Sequence, residues 1–321
     1  MTATPVEAPV EAPVKTAEQL PLPTRLADVK GWFFPADQVL FDWFLSRQQD
    51  LTEPGDLLEV GVYMGKSAIF TGSYLREGER FTVCDLFDGP AEDTANSAEM
   101  ARSYSTLTRR AFEANYLAFH PELPTVIQGL SSVVPDHVTA DSCRFVHIDA
   151  SHLYEHVHAD IADARDLLKP HGIVVLDDFR AEHCPGVAAA AWQAVTTGGL
   201  HALCITGTKL YGTWGDPAAV RTELLAWLGT REDLWHEVQT VAGEQLIRIS
   251  GKKAALPAQP APRRGIAIPA QATPKDGAAA SAPAAAKSAP ARSRRSPLRR
   301  FAVNVLPPFI TKAIVKAKQR D

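Results

Sequence analysis

The sequence predicts an α/β fold: a mostly parallel sheet of seven strands with helices on both faces, plus an extra C-terminal hairpin. Two observations carry that expectation. Short apolar runs with little polar alternation, such as Leu57-Leu58-Glu59-Val60 and Ile173-Val174-Val175-Leu176, recur between stretches of helical spacing. Such runs belong to strands buried on both faces, the condition of a parallel sheet. The strands also end alike, in glycines (Gly61, Gly65) or carboxylates (Asp85, Asp149, Asp177, Asp178). Ligands of open α/β sheets sit at the carboxyl ends of strands, so those ends form the candidate site.

Taken in order, residues 1–24 contain a Pro-Val-Glu-Ala repeat that cannot build a core, and are expected to be disordered. A domain over 25–250 follows. Gly31-Trp32-Phe33-Phe34-Pro35 opens a helix whose apolar side is Val39, Leu40, Phe41, Phe44 and Leu45, expected over the sheet edge or the ligand mouth. The first strand ends in Gly61-Val62-Tyr63-Met64-Gly65-Lys66-Ser67, a turn running into a helix start. Glycine lets backbone approach a ligand closely, and the free N–H groups of a helix start favour an anionic group. The spacing is neither GxxxxGK[ST] nor GxGxxG, which argues against an ATPase and against a standard dinucleotide fold. Residues 80–85 form a second strand ending in Asp85. An acid there accepts both hydroxyls of a ribose or is a solvated strand end. The stretch 88–120 is a lid or a substrate-facing insertion. Strands over 125–128, with Ser131 in the turn after it, and over 144–149 follow. A helix then runs to 168 and is stopped by Lys169-Pro170-His171-Gly172. The fifth strand ends in Asp177-Asp178. A helix at 187–195, strands at 201–205 and 209–214, a helix at 218–228 and the hairpin 235–240/244–249 complete the body. Residues 251–290 make an Ala/Pro-rich flexible linker, and 291–321 a basic tail.

The net charge of −4 conceals a split: residues 252–321 carry 15 Lys+Arg against 2 Asp+Glu, so the body is acidic and the tail basic. Four cysteines without CxxC spacing suit buried thiols of a cytoplasmic protein better than zinc or disulfides. No apolar run reaches membrane-spanning length.

The Glu59-x-Gly61-x-Tyr63-x-Gly65-x-Ser67 pattern, followed by Asp85, Asp149 and Asp177-Asp178, resembles the class I S-adenosylmethionine-dependent methyltransferases. Within them it looks closest to metal-dependent O-methyltransferases of the catechol and macrolide-sugar types, over residues 55–215. The resemblance implies the Rossmann-like class I methyltransferase fold. It implies a cofactor site of Glu59, Gly61, Tyr63, Gly65, Ser67, Asp85, Ser131 and Asp149, with Asp85 on the ribose and Ser131 near the adenine. It also implies a divalent metal, Mg²⁺ or Mn²⁺, on Asp149, Asp177 and Asp178. The relatives' catalytic residue, three after the first metal Asp, corresponds to His152. The second Asp of Asp177-Asp178 departs from the Asp-Asn of the catechol type. The expected reaction is methyl transfer to a hydroxyl of a small molecule or sugar with His152 as base. A metal-free methyltransferase of the same fold with an N or other acceptor, and a cofactor-binding protein without turnover, are the alternatives.

In the tail, Arg292, Arg294, Arg295, Arg299 and Arg300 precede an apolar segment from Phe301 to Ile310, then Lys312, Lys316, Lys318 and Arg320 follow. Basic residues flanking apolar ones suit an anionic membrane surface, here the inner face. With two aromatics for base stacking, nucleic acid is the weaker partner, and a disordered basic extension with no specific partner is the alternative. Oligomerisation is left open.

Overall fold

A computed structural model of the chain describes residues 22–50, 54–89 and 106–263. The expected disorder of 1–24 falls almost wholly outside the described residues. So do the centre of the 88–120 stretch, the linker beyond 263 and the basic tail.

The described chain runs α1 (Pro35–Gln49), β1 (Asp56–Val60), α2 (Lys66–Gly72), β2 (Phe81–Asp85), α3 (Arg109–Leu117), β3 (Thr125–Gln128), α4 (Val134–His137), β4 (Cys143–Ile148), α5 (Tyr154–Leu167) and β5 (Leu168–Leu176). It continues through α6 (Pro185–Thr196), β6 (His201–Ile205), β7 (Leu210–Thr213), α7 (Ala218–Leu228), β8 (Trp235–Val241) and β9 (Glu244–Ser250). Local chemistry sets several starts. Pro35 and Pro185 occupy first turns, where no N–H is needed. Thr108 caps α3 by accepting from the Ala111 N–H at 3.1 Å.

One sheet holds all the strands, in the order β3-β2-β1-β4-β5-β7-β6-β9-β8. β1 to β5 are parallel, and β7 enters antiparallel between β5 and β6. The expected hairpin β8–β9 is not an appendage. β9 pairs in parallel with β6, Cys204 opposite Ile247, so nine strands replace the expected seven plus hairpin. The order reverses between β1 and β4, opening a crevice at the carboxyl ends of those two strands.

Strand side chains alternate between two cores. Leu57, Val83, Phe145, Ile173 and Val175 pack with α1, α2, α3 and α7. Leu58, Val60, Cys84, Val146, Ile148 and Leu176 pack with α5 and α6. Helix α1 lies across the face of the sheet and not over its edge: Phe41 meets Phe145 at 5.1 Å, and Phe44 stacks on Tyr211 at 5.3 Å. Burying Leu40, Phe41, Phe44 and Leu45 contributes ~1.5–3 kcal/mol each. Asp37, in its first turn, accepts from the hydroxyls of Thr206 (2.8 Å), Thr208 (3.1 Å) and Tyr211 (2.8 Å), tying α1 to the β6–β7 turn.

Helix α5 ends at Leu167, just before residues 169–172, expected to stop it, and those residues form an excursion inside β5. Leu168 faces Cys143 and Ile173 faces Phe145. Arg144 is the extra residue of the matching irregularity in β4, since Asp56 faces Cys143 and Leu57 faces Phe145. All four cysteines are buried free thiols. Among the described residues no helix is long and apolar enough to cross a membrane.

Candidate functional site

The crevice between β1 and β4 opens into a cavity of about 540 Å³ whose wall includes Gly61, Tyr63, Ser67, Asp85, Ser131, Asp149, His152, Asp177 and Asp178. The backbone ladder continues past the strand ends: Gly61 N–H donates to Cys84 O, Asp149 N–H to Val60 O, and Asp177 N–H to Ile148 O. This aligns the glycine turn and the terminal carboxylates along one edge. Gly61 has φ +82°, and a Cβ there would lie 2.0 Å from the Asp149 carbonyl oxygen. Only glycine lets the turn cross so close to β4. Gly65, at φ +89°, is the N-cap of α2.

Asp85 is anchored by the turn beneath it. Its Oδ2 accepts from the N–H groups of Val62 (2.8 Å) and Tyr63 (2.9 Å), and its Oδ1 from Phe87 (2.7 Å). Burial pushes its carboxyl up, while those three N–H groups pull it down. A carboxylate offers about four lone-pair sites, so Asp85 keeps acceptor capacity toward the cavity. Glu59 and Gly65 lie outside the cavity wall. Glu59 is 0% exposed beneath the turn, accepts from the Ser67 hydroxyl, and is pushed by burial to about 8. Ser131 lines the far end of the wall, beside the Asp160 carboxyl that burial raises to about 7.

At the other end of the wall, Asp178 Oδ2 lies 3.3 Å from His152 Nε2, and that contact holds the Asp178 carboxyl below its usual range. The four histidines of 147–158 part company. His152 and His156 line the cavity, His158 stacks on Tyr154 at 5.5 Å, and His147 is buried.

Asp149, Asp177 and Asp178 do not converge as one set. Among the described residues, Asp149 and Asp177 bring their carboxylates together with the imidazole of His147, all within 4.8 Å of one another. His152, His183 and Cys184 form a second group of the same size. The first contains a cation of its own. Lys209, with a side chain 1% exposed, donates from Nζ to Asp177 Oδ2 and, at 3.0 Å, to His147 Nε2. Burial alone would lower its pKa, but Asp177, Asp149 and Asp37 outweigh burial and raise it. Asp149 moves the opposite way from an ordinary carboxylate: burial, then Asp177, push it well above its usual range.

Sequence reasoning missed Lys209 and His147; the segment that opens α1, expected over the sheet edge or the ligand mouth, supplies part of the cavity lining. Lys209 follows Thr206-Gly207-Thr208 as the first residue of the strand expected over 209–214, and nothing in the local sequence marks it as a buried ammonium. Only the antiparallel entry of β7, with Leu210 opposite Leu176, brings it to the carboxyl edge beside Asp177. At the mouth, Trp32 (63% exposed) stacks on Tyr63 at 5.7 Å, beside Phe34 (48% exposed). The Lys66 ammonium donates to Gly31 O at 3.0 Å, below that aromatic pair.

Residues 58–179 match the model of a family described as a methyltransferase domain. The span contains the glycine turn and every candidate carboxylate, and the match bears out the resemblance to class I S-adenosylmethionine-dependent methyltransferases. No curated protein matches the sequence. Among solved structures, the chain is similar to the O-methyltransferase NovP, at 18% identity and TM-score 0.46, over 56% of this chain and 79% of that one. It is also similar to the calicheamicin methyltransferase CalS11, at 19% and 0.41, over 56% and 79%. An O-methyltransferase from Bacillus cereus in complex with SAH is 16% identical at TM-score 0.39, over 59% and 84%.

Proposed function

We propose that this protein transfers a methyl group from S-adenosylmethionine to a hydroxyl of a small molecule or sugar, with His152 as general base. One observation carries the proposal. The cavity that begins at the glycine turn and Asp85 ends at an imidazole paired with a carboxylate, His152 with Asp178. When bound, the cofactor supplies an electrophilic methyl group on a sulfonium. The chain's residues supply the remainder. The turn at Gly61 and Tyr63, with Ser67, holds the methionine end, Asp85 accepts from the ribose hydroxyls, and Ser131 lies toward the adenine. A neutral alcohol is a poor nucleophile. His152 takes the hydroxyl proton as the new C–O bond forms, and Asp178 stabilises the imidazolium that results. In-line placement of the acceptor against the methyl group contributes much of the remaining acceleration. The exposed faces of Trp32 and Phe34 at the mouth suit the flat or apolar face of a ring-shaped acceptor.

The divalent ion expected on Asp149, Asp177 and Asp178 does not fit the donors. Mg²⁺ asks for near-octahedral oxygen ligation. Here the third group near Asp149 and Asp177 is an imidazole, Asp178 faces His152, and an ammonium already holds Asp177. That arrangement supports the metal-free version of the reaction.

Calorimetry with S-adenosylmethionine, followed by mass-spectrometric detection of methyl transfer to hydroxylated acceptors, tests the reading. His152→Ala should lower turnover by ~10²–10⁴-fold and leave cofactor affinity near that of the wild type. Absence of cofactor binding would end the methyltransferase reading. Unchanged turnover in His152→Ala would end the role of that residue.

A further inference from the structure

A buried lysine is an expensive way to fill space. An isolated ammonium loses several kcal/mol of hydration on burial, and a well-packed apolar side chain of similar length is often at least as stable. Lys209 is nevertheless enclosed, with its Nζ against Asp177 Oδ2 and His147 Nε2 and 6.0 Å from the centre of the Phe41 ring. It does not line the cavity, whereas Asp149 and Asp177, the acids it faces, do.

The donors around it are arranged for a single positive charge. An ammonium only donates, so His147 Nε2 accepts and the ring proton is on Nδ1, 3.2 Å from Glu59 Oε1 but off a straight hydrogen-bond line. Glu59 in turn accepts from Ser67, whose hydroxyl belongs to the first turn of α2. Ser67 and Glu59 thus form one hydrogen-bonded pair below the glycine turn, and His147, Lys209 and Asp177 a second hydrogen-bonded group beside it, with Asp149 within Coulomb reach of the ammonium. Asp37, whose oxygens are taken by Thr206, Thr208 and Tyr211, adds a third acid within Coulomb reach of the same ammonium. A dication between Asp149 and Asp177 would have to displace the ammonium from Asp177 into a space closed by Phe41 and Tyr211, both fully buried.

We propose that Lys209 is the resident cation of this site. It holds Asp177 and Asp149 in the position a divalent ion would otherwise occupy, so the protein binds no metal there and works without one. Lys209 acts through the carboxylates and touches neither cofactor nor acceptor; it is a positioning residue. Its catalytic consequence rests on the methyltransferase reading, but its ion-binding consequence does not.

The first measurement is therefore a Mn²⁺ titration of the full-length wild-type chain, followed by the electron paramagnetic resonance signal of the free ion. The free signal should rise as in buffer. Uptake of one Mn²⁺ per chain that is lost in Asp177→Asn would overturn the proposal, whether or not turnover is ever found. The second is the same titration of Lys209→Met, checked for folding by its melting transition. With the ammonium gone and the two acids left facing each other, the variant should take up Mn²⁺, and Lys209→Arg should not. A folded Lys209→Met that takes up none would show that the lysine is not what excludes the ion. If Lys209→Met does not fold, the wild-type titration still decides. In the turnover assay, EDTA and added Mg²⁺ should each change the wild-type rate by less than about twofold, since no ion polarises the acceptor. Loss of the rate in EDTA and its return with Mg²⁺ would also overturn the proposal.

Discussion

Glu59 sits beneath the cofactor turn as a carboxyl that the fold keeps protonated at neutral pH. Burial raises it to about 8, and the Ser67 hydroxyl and Lys209 only moderate that rise. The folded state then holds a proton that the unfolded chain releases near pH 4.5. The associated stability is fully present below pH 4.5 and is lost as pH rises through 8. Each pH unit between those two values corresponds to about 1.4 kcal/mol, so the loss is on the order of 5 kcal/mol. Urea midpoints between pH 5 and pH 8.5 should fall more steeply for the wild type than for Glu59→Gln, which carries no titrating proton. Parallel slopes would mean that the residue is ionised in the folded protein. At this scale the sequence was a good guide to residues that end strands. Gly61, Asp85, Asp149 and Asp177 were found because strand ends are legible as apolar runs that stop, whereas His152 came from the resemblance alone; all five line the cavity. His147 and Lys209 were not legible. One faces inward from the next-to-last position of β4, inside an apolar run, and the other depends on which strand lies beside β5.

Among the elements, β4 carries the most consequential irregularity. Arg144, at the bulge, is 0% exposed and reaches Gly55 O (3.1 Å), Gln48 Oε1 (3.1 Å), Tyr74 O (2.7 Å) and both oxygens of Glu79 (3.0 Å each). It thereby clamps the end of α1, the start of β1 and the segment before β2. Burial would raise the Glu79 pKa, but Arg144, Arg76 and two backbone N–H groups bring it down to about 2. Its stabilising charge is present above pH 4.5 and lost as pH falls toward 2. Glu79→Ala leaves the guanidinium enclosed without its counter-charge and should cost ~3–5 kcal/mol in denaturant unfolding. A loss below ~1 kcal/mol would show that Arg144 finds solvent or another partner. The parallel strands and their helices were legible because apolar run length and helical spacing separate cleanly there. The merging of β8–β9 into the main sheet was not. Pairing between β6 and β9 leaves no mark in local composition, and a hairpin looks the same whether or not its outer edge finds a neighbour.

For the whole molecule, the described chain continues past the last strand. Ala254 is buried, and Arg263 donates from its backbone N–H to Ala118 O (2.7 Å) and from its side chain to Leu117 O and His120 O at the end of α3. The basic tail is proposed to meet an anionic membrane surface. A comparison that removes the tail should therefore end the chain at Ala270, the limit of the first compact unit, and keep those contacts. The full chain should co-sediment with anionic vesicles and not with neutral ones, and the shortened chain with neither, while both keep the same melting temperature. Equal partitioning of the two chains would remove the tail from membrane binding. The closure of the fold has a further consequence for synthesis. Helix α1 is among the first elements made, yet Asp37 finds its partners at Thr206, Thr208 and Tyr211, some 170 residues later. At roughly 5–20 residues per second, its apolar face waits about 10–35 s before β7, the later of the two strands whose aromatic rings meet Phe41 and Phe44, has been made.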